Sequence, residues 1–548
     1  MTRRVGAGTA SARCCIVAIG ALLTAPAAFS QTVVPRYTLT PEQWREDLRV
    51  MMEELPRRHR NLYHTTSAAT FDSAANALHA RIPTLARHEI ILEMARIAAL
   101  AGDGHTNVSP TRDPAIGFRT LPVALYLFRD GLYVRTAHRI HAELAGGRVI
   151  RIGEASIEEA YGRVLPYIGR DNEMGAKFLA PHLLAMPEVL HAVRLAPSAD
   201  SALFEIELQS GTRSVWLRPV GPVEVMPADA DASWRRRTGW VDARDAATAP
   251  EPLWLSRDPA KALWWFTVLP GSRTVYAQIN QVRNGATETF ADFTQRLLSA
   301  IDSVHADRLV LDLRLNRGGN GTLLRPLVNG ILKRPSVNER GKLLVLTGRS
   351  TWSAAQFLLD DLQKYADATF IGEPSASKGN HYGDSRRITL PNSGITVRAA
   401  TVYWQAWTPS DQRHWIAPDV AAGLSSRDYA RNEDPVLAAA LAFMPGPRLS
   451  ETIRQAIAAG DTAAAREQLA AYRADTTHAY ADARLSLDSA AFHFLERRDY
   501  DRAIAILELA VMEYPDVPRA YVNLSAAYRA RTRAQMPSTV AERAEPEP

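Results

Sequence analysis

The sequence predicts an α/β protein that ends in an all-α region. Apolar strand-like runs alternate with helical patterns between residues 274 and 373, which is typical of a parallel sheet covered by helices. Amphipathic helical patterns precede this segment, and a second series of them follows it. The chain has 548 residues, of which 46% are hydrophobic and 22% are charged. This composition indicates a folded globular protein with several domains.

Residues 1–30 have the pattern of a secretory signal peptide. Arg3 and Arg4 precede an apolar run that is too short for a permanent membrane span, and small residues follow up to Ser30. Removal of the segment would take away both cysteines and three arginines. The loss of the arginines lowers the formal charge from +5 to +2. We therefore expect a periplasmic or secreted protein without disulfides, thiolate metal sites or a cysteine nucleophile. The alternative is that the segment remains as an N-terminal anchor.

Residues 31–114 are predicted to form a helical domain. Thr40 and Gln43 have the spacing of a capping box, which marks the start of a helix. Further helical patterns cover 71–82 and 87–101. The last of them stops at a glycine, as helices commonly do.

Two regions of mixed character follow the helical domain. Residues 115–220 contain short strand-like runs, and the segment 147–157 loosely resembles the end of a PDZ domain, a peptide-binding module. Residues 221–444 are predicted to form the α/β core, after a loop rich in proline, alanine and aspartate. Its predicted strands are 275–279, 309–313, 343–346 and 369–371, and a hairpin is predicted over 387–403.

The C-terminal region, residues 445–533, is predicted to consist of helical repeats. Residues 487–515 have the apolar and small side chains of a tetratricopeptide repeat, and the pattern opens again one period of about 34 residues later. Such hairpins bury their apolar faces only by stacking on neighbours, so we expect two to three repeats that bind a partner protein. Residues 534–548 are rich in proline and charge and are predicted to be disordered.

Three loops carry residues that could perform nucleophilic catalysis. Ser353 lies at a strand-to-helix junction, where unpaired N–H groups and the helix dipole would stabilise an oxyanion; helix capping is the alternative role. Lys378 follows the next strand and could act as a base only if its pKa fell by about three units. His105, in the turn GDGHT, would need no such shift, although a structural role in the turn is its alternative.

Other chemistries have no support in the sequence. No His-Glu-x-x-His spacing indicates a metallopeptidase, and the glycine loop 318–321 lacks the spacing of a dinucleotide loop because Leu324 would obstruct helix packing. No basic stripe accompanies the aromatic run 264–266, so we expect no nucleic-acid partner. The sequence thus predicts neither a metal nor another cofactor.

Three motifs, in this order, resemble the carboxyl-terminal processing (tail-specific) protease family, which includes the tricorn core proteases. They are LVLDLRLNRGG at 309–319, TGRSTWSAAQ at 347–356 and GEPSASKGN at 372–380. The resemblance implies a crotonase-like α/β core with a PDZ-like module, a serine nucleophile, no metal, and endopeptidase activity on protein or peptide substrates. The GDGHT turn is similar to the tricorn-like branch, in which a histidine is the base.

The resemblance also implies roles for individual residues. It implies Ser353 as the nucleophile, Ala354 and either Gly318 or Gly319 as oxyanion donors, Lys378 as the dyad base, and Asp312 and Arg314 as a supporting ion pair. Two positions depart from the family. Gln356 stands where many dyad members have glutamate, and Gly104 stands where the tricorn-like branch often has serine. They leave open a second function, a non-catalytic peptide-binding scaffold on the same fold.

Overall fold

The computed structural model describes residues 38–224 and 231–536 of the chain. The predicted signal peptide lies outside these residues, as does the predicted tail from residue 537 onward. Residues 534 and 535, which were predicted as tail, belong to the last helix. None of the helices in the described ranges combines the length and the apolar character that a bilayer crossing requires.

Three helices open the described part of the chain. They are α1 (Pro41–Arg58), α2 (Ala68–Arg81) and α3 (Arg87–Ala99). The predicted capping box is present, since the Thr40 hydroxyl accepts the N–H of Gln43 and the Gln43 side chain accepts the N–H of Thr40. The end of α3 lies directly before the turn that carries His105, and β1 (Asn107–Val108) follows that turn.

An antiparallel sheet forms the next region. Its strands and the short strands beside it are β2 (Arg119–Thr120), β3 (Val123–Phe128), β4 (Gly131–His138), β5 (Arg148–Ile152), β6 (Ala155–Ser156), β7 (Ala202–Leu208), β8 (Gly211–Leu217), β9 (Gly221–Pro222) and β10 (Trp240–Asp242). The accompanying helices are α4 (Ile157–Val164), α5 (Glu173–Leu183) and α6 (Pro187–Ala192). Strands β10, β4, β5, β7 and β8 are neighbours in this order. Because β10 lies beyond residue 220, the sheet extends past the boundary predicted for this region.

The predicted α/β architecture is confirmed by the second large sheet and its helices. The elements of this part are β11 (Trp264–Val268), β12 (Thr274–Ile279), α7 (Phe290–Ser303), β13 (Arg308–Asp312), α8 (Arg325–Leu332), β14 (Leu343–Thr347), α9 (Ala354–Tyr365), β15 (Thr369–Gly372), β16 (Asn380–Thr389), β17 (Thr396–Gln405), β18 (Val420–Ala421), α10 (Ser426–Ala430) and α11 (Pro435–Ala442). Six strands pair in the order β11-β12-β13-β14-β15-β18. All of these pairs are parallel except β11 with β12.

This topology gathers the candidate residues at one edge of the parallel sheet. The carboxyl ends of parallel strands meet at the same edge, so the loops after β13, β14 and β15 lie side by side. These loops carry the glycine pair, Ser353 and Lys378. The predicted hairpin is also present, as the antiparallel pair β16 and β17. Strand β1 joins β17 through Asn107↔Arg398 and Val108↔Val397, which fixes the GDGHT turn to this hairpin.

The C-terminal region is entirely helical in the described residues, as predicted. Its helices are α12 (Leu449–Ala458), α13 (Thr462–Ala474), α14 (Ala483–Glu496), α15 (Tyr500–Glu513) and α16 (Pro518–Gln535). Leu487 and Leu507 lie in an apolar cluster formed by these helices and distinct from the clusters of the core. Their identity as tetratricopeptide repeats stays a prediction.

Candidate active site

Ser353 lies in the turn between β14 and α9 with a strained backbone. Its φ is 57° and its ψ is −123°, a conformation that costs a residue with a Cβ on the order of 1–3 kcal/mol. Its N–H donates to the Ser377 hydroxyl oxygen at 3.1 Å. The Ser353 side chain makes no capping hydrogen bond to α9. The half-buried hydroxyl is therefore not used as the helix cap that the sequence left open as an alternative.

His105 lies beside this serine. Its Nε2 atom is 3.2 Å from the Ser353 Oγ atom. The ring is buried and stacks on Trp352, with 3.9 Å between ring centroids. Asp103 shapes the turn, because one carboxylate oxygen accepts the N–H groups of His105 at 2.8 Å and of Thr106 at 2.7 Å. The turn and the stacking together aim Nε2 at the hydroxyl.

The surroundings of His105 keep its imidazole neutral. The pKa of His105 is lowered to about 3, chiefly by burial and then by nearby His381, while Asp103 opposes the shift. A neutral imidazole can accept a proton at Nε2. The Nδ1 atom is buried and makes no hydrogen bond to a described side chain. The nearby backbone of Tyr382 raises the pKa of His105, against the larger effect of burial. No described side chain thus orients the ring through Nδ1.

Lys378 lies in the loop after β15 and is half-buried. Within the described ranges, no hydrogen bond joins its amine to the Ser353 hydroxyl. Its backbone carbonyl accepts a hydrogen bond from His381 Nδ1 at 3.0 Å. Of the two predicted bases, the structure therefore brings His105, and not Lys378, within hydrogen-bond distance of the Ser353 hydroxyl.

The glycine pair passes beside the serine with positive φ angles of 102° at Gly318 and 129° at Gly319. A methyl group on Gly318 would lie 2.8 Å from the Ala354 nitrogen and 2.8 Å from the Ser353 Cβ, so this close approach requires glycine. The N–H of Gly318 donates to the Asn316 side chain at 2.8 Å. Among the described residues, the N–H groups of Gly319 and Ala354 have no acceptor. These two donors are free to bind an oxyanion.

The predicted ion pair of Asp312 and Arg314 supports the sheet below the site. The pair is buried, with 2.6 Å between Arg314 Nη2 and Asp312 Oδ2. Arg314 also contacts Asp434, the N-cap of α11, at 2.8 Å, and the Tyr276 hydroxyl donates to Asp312 at 2.7 Å. In the described part of the chain neither residue hydrogen-bonds to Ser353. The pair holds the end of β13, from which the glycine loop departs.

Gln356 is buried in the first turn of α9. Its side-chain oxygen accepts the Ser375 hydroxyl at 2.5 Å, and its amide donates to Asp360 at 3.1 Å. Burial raises the pKa of Asp360 to about 7. Gln356 thus fixes the loop that contains Ser375 and Ser377, and Ser377 in turn holds the N–H of Ser353.

Four further residues of the site were not predicted: Asp103, Asp171, Trp352 and Ser377. Asp103 could have been found, since an aspartate that accepts the N–H two residues on is a common turn device. Trp352 and Ser377 lie inside the quoted motifs, but nothing in the motifs indicates their contacts. Asp171 gave no signal, because it binds the N–H of Gly104 across 67 residues of chain.

His59, His64 and Asp103 are the described residues that could hold a metal ion, with their ligand atoms within 4.8 Å of one another. His59 Nε2 lies 2.9 Å from an Asp103 oxygen, and its Nδ1 accepts the N–H of Asn61 at 3.0 Å. In a neutral ring this leaves the proton on Nε2, where it donates to the carboxylate, whereas a metal would have to displace it. These contacts fit a hydrogen-bond network that anchors Asp103 better than a metal site.

No protein-family model and no curated protein sequence matches this chain. Among solved structures, a point mutant of CPAF is 11% identical with a TM-score of 0.51, and the match covers 74% of this chain and 99% of that one. Mature CPAF complexed with lactacystin is 12% identical, with a TM-score of 0.49 and coverage of 73% and 98%. The photosystem II D1 C-terminal processing protease is 14% identical, with a TM-score of 0.32 and coverage of 71% and 94%. On the first of these matches, the chain is similar in fold to CPAF over 74% of its length.

Proposed function

We propose that this chain is a serine endopeptidase of the carboxyl-terminal processing type, acting on protein or peptide substrates. The observation that carries the proposal is the distance of 3.2 Å between Ser353 Oγ and His105 Nε2. The unused N–H groups of Gly319 and Ala354 beside this pair support it, because acyl transfer needs a nucleophile, a base and an oxyanion site together. The motifs that resemble the processing proteases agree with this assignment.

In the proposed reaction, His105 Nε2 removes the hydroxyl proton as Ser353 Oγ attacks the scissile carbonyl carbon. The carbonyl oxygen becomes an oxyanion and accepts hydrogen bonds from the N–H groups of Gly319 and Ala354. Protonated His105 then gives its proton to the leaving amine nitrogen, and the C–N bond breaks to leave an acyl-enzyme. A water molecule attacks the acyl carbon while His105 Nε2 takes up one of its protons, and His105 then gives this proton to Ser353 Oγ as the acyl C–O bond breaks and the carboxylic acid product leaves.

The imidazolium that forms during this reaction is stabilised from the turn itself. The charge of Asp103 raises the pKa of His105 against the larger effect of burial. Burial also raises the pKa of Asp103, but its contacts with His59 and Thr106 lower it overall. Asp103 is therefore ionised and close to the ring when the positive charge develops.

The alternative function, a non-catalytic peptide-binding scaffold, was motivated by Gln356 and Gly104. Gln356 has a structural use, because it bonds to Ser375 in the loop behind the nucleophile. Gly104 also has one, because a methyl group there would lie 3.1 Å from the Trp352 indole nitrogen. Both departures from the family are therefore compatible with the arrangement of Ser353 and His105. They do not favour the scaffold over the peptidase.

Two further parts of the proposal concern location and partners. The leader-like pattern of residues 1–30 supports export to the periplasm or the exterior. The helices α12 to α16 expose the apolar side chains of Phe492, Tyr521 and Val522. Such exposed side chains on repeat-like hairpins support a role in binding a partner protein.

The proposal is tested by comparing Ser353→Ala with the wild type on a fluorogenic peptide library. We expect the variant to lose hydrolysis by at least about 10⁴-fold, because the nucleophile is gone, with unchanged thermal unfolding. Ser299→Ala, on the exposed face of α7, is the matched control and should keep full activity. Equal hydrolysis by Ser353→Ala would reject the proposal. A folded wild type that binds peptides but cleaves none would favour the scaffold.

A further inference from the structure

One loop of the antiparallel-sheet region, residues 169–172, contacts both loops that carry the candidate base and nucleophile. The loop leads into α5, and its last residue, Asn172, is the N-cap of that helix. Asp171 and Asn172 are both buried, with exposed fractions of 7% and 6%. Their side chains contact the catalytic turn and the loop behind the nucleophile, respectively.

On the side of the base, the contact is made by Asp171 and Gly169. Asp171 Oδ1 accepts the N–H of Gly104 at 2.9 Å. A methyl group on Gly169 would lie 2.5 Å from the carbonyl oxygen of Thr106 and 3.1 Å from that of Asp103. The loop therefore packs directly against the backbone on both sides of His105.

Three successive N–H groups of the turn are consequently bound by two carboxyl groups. Asp171 binds that of Gly104, and Asp103 binds those of His105 and Thr106. Burial and the neighbouring charge of Asp103 raise the pKa of Asp171 to about 7. Ionisation of the buried Asp171 near the charged Asp103 is therefore unfavourable, which is a cost that functional sites commonly carry.

On the side of the nucleophile, the contact is made by Asn172. Its amide donates to the carbonyl of Ser375 at 3.0 Å and to that of His414 at 2.8 Å. Ser375 and Ser377 lie in one short loop, in which the Ser375 hydroxyl donates to the Gln356 side chain at 2.5 Å and the Ser377 hydroxyl accepts the N–H of Ser353 at 3.1 Å. Two hydrogen bonds and the short chain segment 375–377 thus connect Asn172 to the strained backbone of Ser353.

We propose that Asp171 and Asn172 are positioning residues that set the geometry between His105 and Ser353. Asp171 acts on the base through Gly104, and Asn172 acts on the nucleophile through the loop 375–377. The inference rests on the proposed function for its kinetic consequence. It makes the antiparallel-sheet region a structural part of the active site, since its docked loop fixes both reacting groups.

The test compares Asp171→Ala with Asp171→Asn. Asparagine keeps a side-chain oxygen that can accept the Gly104 N–H, whereas alanine removes it. We expect kcat of Asp171→Ala to fall about 10- to 100-fold, with KM changed less than about threefold, because a small misplacement of the base slows the chemical step. Asp171→Asn should restore kcat to near the wild-type value, and Asn172→Ala should lower it as Asp171→Ala does.

Asp47→Ala is the matched control for loss of a buried carboxylate. Asp47 is fully buried in α1 and accepts the N–H groups of Asn392 and Ser393 in the turn of the β16–β17 hairpin. Its loss should lower thermal stability while leaving kcat per folded molecule unchanged. The inference is overturned if Asp171→Ala keeps the wild-type kcat, or if Asp47→Ala loses as much kcat as Asp171→Ala.

Amide hydrogen exchange gives a second readout that does not depend on hydrolysis. Peptides that cover residues 103–107 should exchange faster in Asp171→Ala than in the wild type and in Asp171→Asn, and peptides that cover 350–356 should do so in Asn172→Ala. If the wild type cleaves no peptide, the proposed function fails, and this exchange pattern still decides whether the two residues hold the loops. Unchanged exchange in both variants would overturn the inference.

Discussion

The Nε2 atom of His105 lies 3.2 Å from the Oγ atom of Ser353, although 248 residues separate them in the chain. Two structural features bring them together. The parallel strand β14 delivers Ser353 to the sheet edge, and the short pairing of β1 with β17 fixes the turn that carries His105 over that edge. The same edge carries the N–H groups of Gly319 and Ala354, which have no acceptor among the described residues, so the candidate base, nucleophile and oxyanion donors lie close together.

The two candidate bases can be separated by substitution. We expect His105→Ala to lower kcat/KM by about 10²- to 10⁴-fold, because general-base catalysis is lost. Lys378→Ala should stay within about tenfold of the wild type, since no hydrogen bond joins its amine to the serine hydroxyl. Both variants are assayed on the same peptide, with circular dichroism to verify folding. A larger loss for Lys378→Ala than for His105→Ala would show that the lysine is the base.

The pH dependence should follow the depressed pKa of His105. In the proposed mechanism the neutral imidazole is the active form, and with a pKa of about 3 it remains neutral as the pH falls from 7 to 5. We therefore expect kcat/KM to stay nearly constant over this range, whereas a base with an ordinary pKa near 6.5 would lose more than about tenfold at pH 5. The profile is measured on enzyme whose fold is monitored at each pH.

Folding must be monitored because buried neutral histidines oppose stability in acid. Burial lowers the pKa of His182 and of His381 to about 4. The unfolded chain binds protons at these histidines near pH 6.5, whereas the folded chain binds them only near pH 4. The free energy of unfolding therefore decreases as the pH is lowered from about 6.5 to about 4. An acid limb near pH 6.5 in fully folded protein would contradict the assignment of a depressed pKa to the base.

The strain at Ser353 should be visible in the stability of two inactive variants. A positive φ is unfavourable for alanine and allowed for glycine, so we expect Ser353→Gly to unfold with a free energy about 1 kcal/mol higher than Ser353→Ala. Chemical denaturation measures the difference. Ser299, within α7, provides the control, because there the glycine variant should be less stable than the alanine variant by about 1 kcal/mol. The same order at both positions would exclude backbone strain at Ser353.

Removal of residues 449–548 should spare the hydrolysis of a short peptide. The helices α12 to α16 have their own apolar cluster, and none of the site groups lies on them. A hydrogen bond from the Trp415 indole to the Tyr480 carbonyl at 3.3 Å connects this region to the core. We expect kcat/KM of the truncated protein to stay within about threefold of that of the full chain, because all the proposed reacting groups lie before residue 449. Loss of this activity in a truncation with native circular dichroism would refute the assignment of the region to partner binding.

Much of the fold could be predicted because its signals are local. Strands buried on both faces are apolar runs, and 309–313, which only Asp312 interrupts, and 343–346 are of this kind. The capping box at Thr40 and the turn of the β16–β17 hairpin are likewise encoded within a few residues. Strand β11 was missed because it is an antiparallel edge strand in which only Trp265 is buried, and β18 was missed because it has only two residues.

By itself, the sequence determined which loops could carry chemistry, since motif order and the parallel topology place them at one sheet edge. The tertiary structure decided which groups in those loops face one another. It placed His105 rather than Lys378 beside the Ser353 hydroxyl and, within the described residues, it left the N–H of Gly319 rather than that of Gly318 without an acceptor. Proton transfer and oxyanion binding depend on distances of about 3 Å between atoms far apart in the chain. Such distances are set by long-range contacts, such as that of Asp171 with Gly104, which no local pattern of residues encodes.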